Sequence, residues 1–151
     1  MHRVIVLFII ALISTNAHSQ LGAKANKLIG VWNFKHSDGF EVWSMQNDDL
    51  IGNAYRVNKM GDTSRVEKLS IRKVQKNLAY STITYNLVGD TIRTEKHFFL
   101  GGKRKLRFEN VENNTPQVII YKFGFFNRNK LKIFIQLNSG TKAKPLILYR
   151  Q

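Results

Sequence analysis

The sequence predicts an all-β fold: an up-and-down antiparallel barrel of roughly eight to ten strands, with at most a short N-terminal helical turn. Three observations carry this. Apolar and polar residues alternate with period two through most of the chain after Asn26. Turn-forming groups punctuate the alternation at Ser37-Asp38-Gly39, Gly61-Asp62, Gly89-Asp90, Gly101-Gly102 and Ser139-Gly140. No Pro/Ser-rich linker, repeat or low-complexity stretch divides the chain. So many consecutive strands would leave long unpaired edges in an open sheet, and closure removes them. A two-sheet sandwich is the alternative that periodicity alone allows.

The elements follow in order. Residues 1–19 read as an export signal: a basic start at Arg3, an unbroken apolar run over 4–13, then a polar stretch with small Ala17 and Ser19 at a cleavage spacing. Ten apolar residues span about 15 Å as a helix, half of a bilayer's hydrocarbon core, so the segment is too short for an anchor. Cleavage would leave a single domain over 20–151, exported by a bacterium to the periplasm or the medium. Residues 23–29 suit a turn or two of helix. Strands are expected at 29–35, 39–46, 50–58, 64–74, 78–87, 91–100, 103–110, 117–124, 130–138 and 144–150.

Alternation predicts the inner face. Glu67, Leu69 and Ile71 share one side of their strand, as do Glu41, Trp43 and Met45 of theirs. Ile119, Tyr121 and Phe123 stand opposite Lys122, and Leu131, Ile133, Ile135 and Leu137 form the cleanest inward row. A two-residue turn at Gly101-Gly102 would pair His97 with Leu106 and Glu95 with Phe108; a three-residue turn would bring Phe98 to the face of Leu106. Either register sets a polar residue among apolar ones, which suggests a wet or ligand-filled lumen.

Composition narrows the chemistry. The chain has 151 residues, no cysteine and 4 histidines, which excludes thiol catalysis, iron–sulfur and cysteine–zinc sites. His36 and His97 have no ligand spacing around them, so neither a metal nor another cofactor is expected. Nucleophile-elbow, phosphate-loop and dinucleotide motifs are missing from the sequence. Lys and Arg number 24 against 10 Asp and Glu, a net charge of +14, of which the signal removes only Arg3. Lys103, Lys105 and Arg107 share one face of a strand and form a candidate anion-binding surface, and export argues against a nucleic-acid partner.

Two segments carry a family resemblance. Leu28-Ile29-Gly30-Val31-Trp32 is a G-x-W segment entering the first strand, and Leu148-Tyr149-Arg150-Gln151 closes the last. Together they resemble the lipocalin and calycin group, in which the Trp closes one barrel end and an Arg from the last strand packs across its ring; Gly30, Trp32 and Arg150 are the matching positions. A longer resemblance runs from about Leu28 to Leu137, through Glu41-Val42-Trp43, Leu50-Ile51-Gly52, Glu67-Lys68-Leu69-Ser70-Ile71, Phe108-Glu109-Asn110 and Pro116-Gln117-Val118-Ile119-Ile120-Tyr121. It is similar to an uncharacterised family of exported bacterial lipocalin-like domains of unknown function. The chain departs from that pattern where Asn113-Asn114-Thr115 replaces a His-Asp-Phe segment. The resemblance implies a barrel with a pocket and no stated activity.

The expected function is therefore non-enzymatic: a monomeric barrel holding a small, largely apolar ligand. Trp43, Tyr55, Tyr80 and Tyr121 would supply aromatic walls, and Glu67 and Asn110 polar orientation. An alternative is a basic surface module docking on anionic lipid, lipopolysaccharide or polysaccharide. An enzyme would rest on Glu41 and Glu67 as paired carboxylates, for which the simpler reading is a carboxylate satisfied by Arg or Tyr inside the barrel.

Overall fold

The computed structural model describes residues 22–75, 77–86, 91–99, 105–110, 116–137 and 140–151, with 91–99 described as backbone only. The expected signal (1–19), the Gly89-Asp90 and Gly101-Gly102 turns, Lys103 and Asn113-Asn114-Thr115 lie outside these residues.

Among the described residues a single 3₁₀ turn, Ala25–Leu28, precedes ten strands. These are β1 (Gly30–Phe34), β2 (Gly39–Gln46), β3 (Asp49–Val57), β4 (Thr63–Val74), β5 (Asn77–Tyr85), β6 (Thr91–Phe99), β7 (Lys105–Glu109), β8 (Val118–Phe123), β9 (Lys130–Gln136) and β10 (Leu146–Arg150). Each is antiparallel to the next, and β1 pairs with β10, closing the barrel. First and last strands meet through Trp32 opposite Arg150 and Phe34 opposite Leu148, which rules out the sandwich.

The turn chemistry is local. Asn47 and Asp48 both take positive φ, 47° and 67°, between the paired Gln46 and Asp49. That is the two-residue geometry matching strand twist. At the β3–β4 connection the Asn58 side-chain oxygen accepts from the backbone N–H of Met60 and of Asp62, both at 2.9 Å. The β6–β7 register differs from both expectations. Phe98 stands opposite Glu109 and Phe99 opposite Phe108, so neither His97 nor Phe98 partners Leu106. Instead the ladder to β5 sets His97 opposite Tyr80.

Inward alternation fills the half of the lumen next to the N-terminal turn. Leu28, Trp32, Trp43, Leu50, Leu69, Ile71, Leu106, Phe108, Leu131 and Leu148 are fully buried there. Met45, expected inside with Glu41 and Trp43, is 40% exposed because β2 runs out past the core at its end. Gly52 stands opposite Trp43 and receives the flat of its ring: a Cβ at residue 52 would lie 2.8 Å from three indole carbons. A side chain there would therefore displace the tryptophan.

Candidate functional site

The two ends of the barrel are built differently. At one end the chain enters through the 3₁₀ turn and leaves at Arg150. The Trp32 indole N–H donates to the Leu28 carbonyl at 2.6 Å. The Arg150 guanidinium lies 4.5 Å from the Trp32 ring and donates to the carbonyls of Ile29 (2.9 Å) and Lys27 (2.6 Å). Stacking and paired hydrogen bonds use both properties of a guanidinium. Gly30 fits beneath it: its φ is +129°, and a Cβ would meet the Arg150 head at 3.4 Å. Residues 30, 32 and 150 thus form one contact that closes this end.

Toward the other end the lumen opens into a cavity of about 280 Å³. One wall is aliphatic, from Ile119, Ile133, Ile135, Leu137 and Leu146. The other is polar, from Glu41, Glu67, Tyr80, Thr82, Thr84 and Tyr121. Register explains the polar wall. Glu41, Ala54, Glu67 and Thr84 are successive partners across β2 to β5, so a short alanine separates the two carboxylates. A bulge beside them, where Ala54 pairs with Glu67 but Tyr55 with Arg65, adds one residue to β4 and shifts the alternation before Glu67.

Glu41 is only 4% exposed and accepts from the Trp43 indole N–H at 2.8 Å. Burial pushes its carboxyl up to about 7; the Trp43 bond opposes this and the nearby Glu67 adds to it. Its partner is thus an indole, not the Arg or Tyr expected. Beneath the cavity, the Tyr80 and Tyr121 hydroxyls stand 3.3 Å apart. Tyr80 stacks on Phe108 at 5.0 Å, and Tyr121 meets Trp43 edge-on at 6.0 Å. Burial raises both phenols well above their ordinary range, so both stay protonated. Thr82 Oγ1 is buried in the same wall and meets no partner at hydrogen-bond geometry among the described residues, though it lies close enough to the Tyr80 hydroxyl to oppose part of the effect of burial on that phenol.

Of the residues expected to line the lumen, Glu67, Tyr80 and Tyr121 do so. Trp43 lies below the cavity as the support of Glu41 and Tyr121. Asn110 is buried just past β7, outside the cavity wall. Tyr55 does not line the cavity: it stacks on Phe40 at 5.0 Å, on the sheet face opposite Glu41, because Phe40 alternates with Glu41 along β2. Thr82 is legible as the inward neighbour of Tyr80, two residues along the strand, and Ile133 and Ile135 as part of the inward row.

Among the expected anion-binding residues, Lys105 is exposed and stands opposite Lys122, which stands opposite Lys132. Arg107 instead donates to Glu109 at 3.4 Å. No group of His, Asp and Glu able to hold a metal occurs among the described residues. Among the same residues no helix is long and apolar enough to cross a membrane. Compared with known proteins, the chain matches no family model and no curated sequence.

Proposed function

We propose that this barrel binds one small, largely apolar molecule in its open-end cavity and performs no chemistry on it. The observation that carries the reading is the two-sided cavity. About 280 Å³ is bounded by five aliphatic side chains on one side and by two carboxyls, two phenols and a buried threonine hydroxyl on the other. An apolar body would bury against the isoleucines, and a single hydrogen-bonding end would meet Thr82 and Glu41. Such a volume sits at the lower end for ligand pockets, which favours a compact molecule of up to three rings or a short chain. The resemblance to exported lipocalin-like domains and the signal-like residues 1–19 support the same reading, with the protein acting outside the cytoplasm.

A fluorescence titration with N-phenyl-1-naphthylamine, a neutral apolar dye, tests it. The expected result is saturable one-to-one binding with a blue-shifted emission. Ile135→Trp, which fills the cavity from its aliphatic wall, should weaken binding at least tenfold while leaving the circular dichroism of the barrel unchanged. Equal binding by the variant, or no saturable binding by the wild type, would overturn the proposal.

A further inference from the structure

The β8–β9 turn presents two phenylalanines to solvent. Phe126 is 96% exposed and Phe125 is 59% exposed, with their rings edge-on at 4.5 Å. Hydrogen bonds of the neighbouring residues fix the loop. Gly124 N–H donates to the Lys130 carbonyl at 2.8 Å, Lys130 N–H to the Asn127 carbonyl at 3.1 Å, and Asn129 N–H to the Asn127 side chain at 2.9 Å. The turn therefore holds a paired aromatic tip outward at the sealed end of the barrel, with the Phe126 ring almost wholly in solvent.

The charge around the tip has one sign. All 10 acidic residues of the chain fall between Asp38 and Glu112. The 3₁₀ turn, β1, β8, β9 and β10, which are contiguous around the barrel, contain none. A cleft of about 660 Å³ beside the tip is lined by Lys27, Arg128 and Arg150 together with Phe123 and Phe125. Lys105, Lys122 and Lys132 cross the adjoining outer wall as a row of register partners.

We propose that this end of the barrel docks on an anionic lipid bilayer, with Phe125 and Phe126 entering the interface and Lys27, Arg128 and the lysine row meeting headgroup phosphates. Aromatic rings with a rim of cations suit the membrane–water boundary, where burial and charge act together. A soluble acidic partner would account for the cations but would not require two solvent-facing rings at a hydrogen-bonded tip. The surface faces away from the cavity mouth, so a docked barrel keeps its open end in water. This inference stands independently of ligand binding.

Co-sedimentation with phosphatidylglycerol–phosphatidylcholine vesicles tests it, together with a Phe126→Trp variant and brominated lipids. Wild type should bind the mixed vesicles and not pure phosphatidylcholine. Phe125→Ser/Phe126→Ser should lower the partition coefficient at least about tenfold. Lys122→Glu and Arg128→Glu should each lower it by roughly fivefold or more. Brominated acyl chains should quench the fluorescence of the indole introduced by Phe126→Trp, since the two native tryptophans are buried. Undiminished binding of the double serine variant would overturn the proposal. So would binding without quenching, because that outcome indicates headgroup or soluble-anion attraction alone.

Discussion

The sealed end and the open end of this barrel use the same kinds of residue in opposite ways. At the sealed end an indole, a guanidinium and three backbone carbonyls satisfy one another, and the contact joins the first strand to the last. At the open end an indole is turned to hold a carboxyl, and carboxyls and hydroxyls surround a cavity instead of filling it. Closure is concentrated where packing is complete, so the other end can keep polar groups buried around unfilled space. The comparison makes a mechanical claim: residues at the seal should dominate stability, and residues at the cavity should dominate pH response and binding.

The largest effect should come from Trp32. Trp32→Ala removes a fully buried ring, the Leu28 bond and the surface on which Arg150 stacks. Denaturant unfolding should show a loss of roughly 3–5 kcal/mol, a large fraction of a small domain's stability. Arg150→Ala should cost less, about 1 kcal/mol, and the double variant should be less than additive because the two side chains touch. Ile135→Ala, on the half-buried cavity wall, should cost clearly less than Trp32→Ala. Equal losses at the two positions would break the distinction between the ends.

The next effect belongs to Glu41. Its folded carboxyl titrates near 7 against an ordinary value of 4.5, chiefly because burial disfavours the charged form. The folded state therefore holds a proton that the unfolded chain has released. Stability attributable to this group is complete below about pH 4.5, declines as pH rises toward 7, and is constant above. The decline amounts to roughly 3 kcal/mol. Glu41→Gln, whose amide oxygen can still accept from Trp43, should flatten this part of the curve. Chemical denaturation of both proteins between pH 4 and 8 measures the difference. A wild-type curve parallel to that of the variant would show that Glu41 is not buried in the way the cavity requires.

What can be read from the sequence follows a physical line. Strand positions and the inward row of β9 are legible because period two and turn residues are properties of each segment alone, whereas closure rests on the cost of unpaired edges and leaves a sandwich open. The pairing of Trp32 with Arg150 is legible only through a resemblance, since nothing local links residues at opposite ends of a chain. Two of the misses depend on register. Alternation admits Tyr55 to the lumen although it stacks on Phe40, and the β4 bulge beside it is invisible to alternation. The glycine pair at 101–102 admits two β6–β7 pairings, and the ladder takes neither, setting Phe99 opposite Phe108. Phe125 and Phe126 belong to no predicted strand, and a linear pattern does not show that a hydrogen-bonded turn lifts them into solvent.

The smallest effect tests whether the cavity floor is a binding feature or only core. Tyr80 and Tyr121 hydroxyls meet at 3.3 Å, a long bond beside open volume. Tyr80→Phe keeps the ring stacked on Phe108 and deletes one hydroxyl. In a dry core the remaining Tyr121 hydroxyl would be stranded, at a cost of up to about 3 kcal/mol. Beside a cavity, water can replace the lost partner, so the cost should fall to about 0.5–1.5 kcal/mol. Because burial keeps both phenols protonated well above their ordinary range, that cost should not change between pH 5 and 8, in contrast to the Glu41 curve. The same variant should shift the affinity for an apolar dye whose polar end reaches the floor, and leave vesicle binding at the sealed end unchanged. A stability loss near 3 kcal/mol with no change in dye affinity would mark the tyrosine pair as packing alone, and the floor of the cavity would then belong to the sealed half of the barrel.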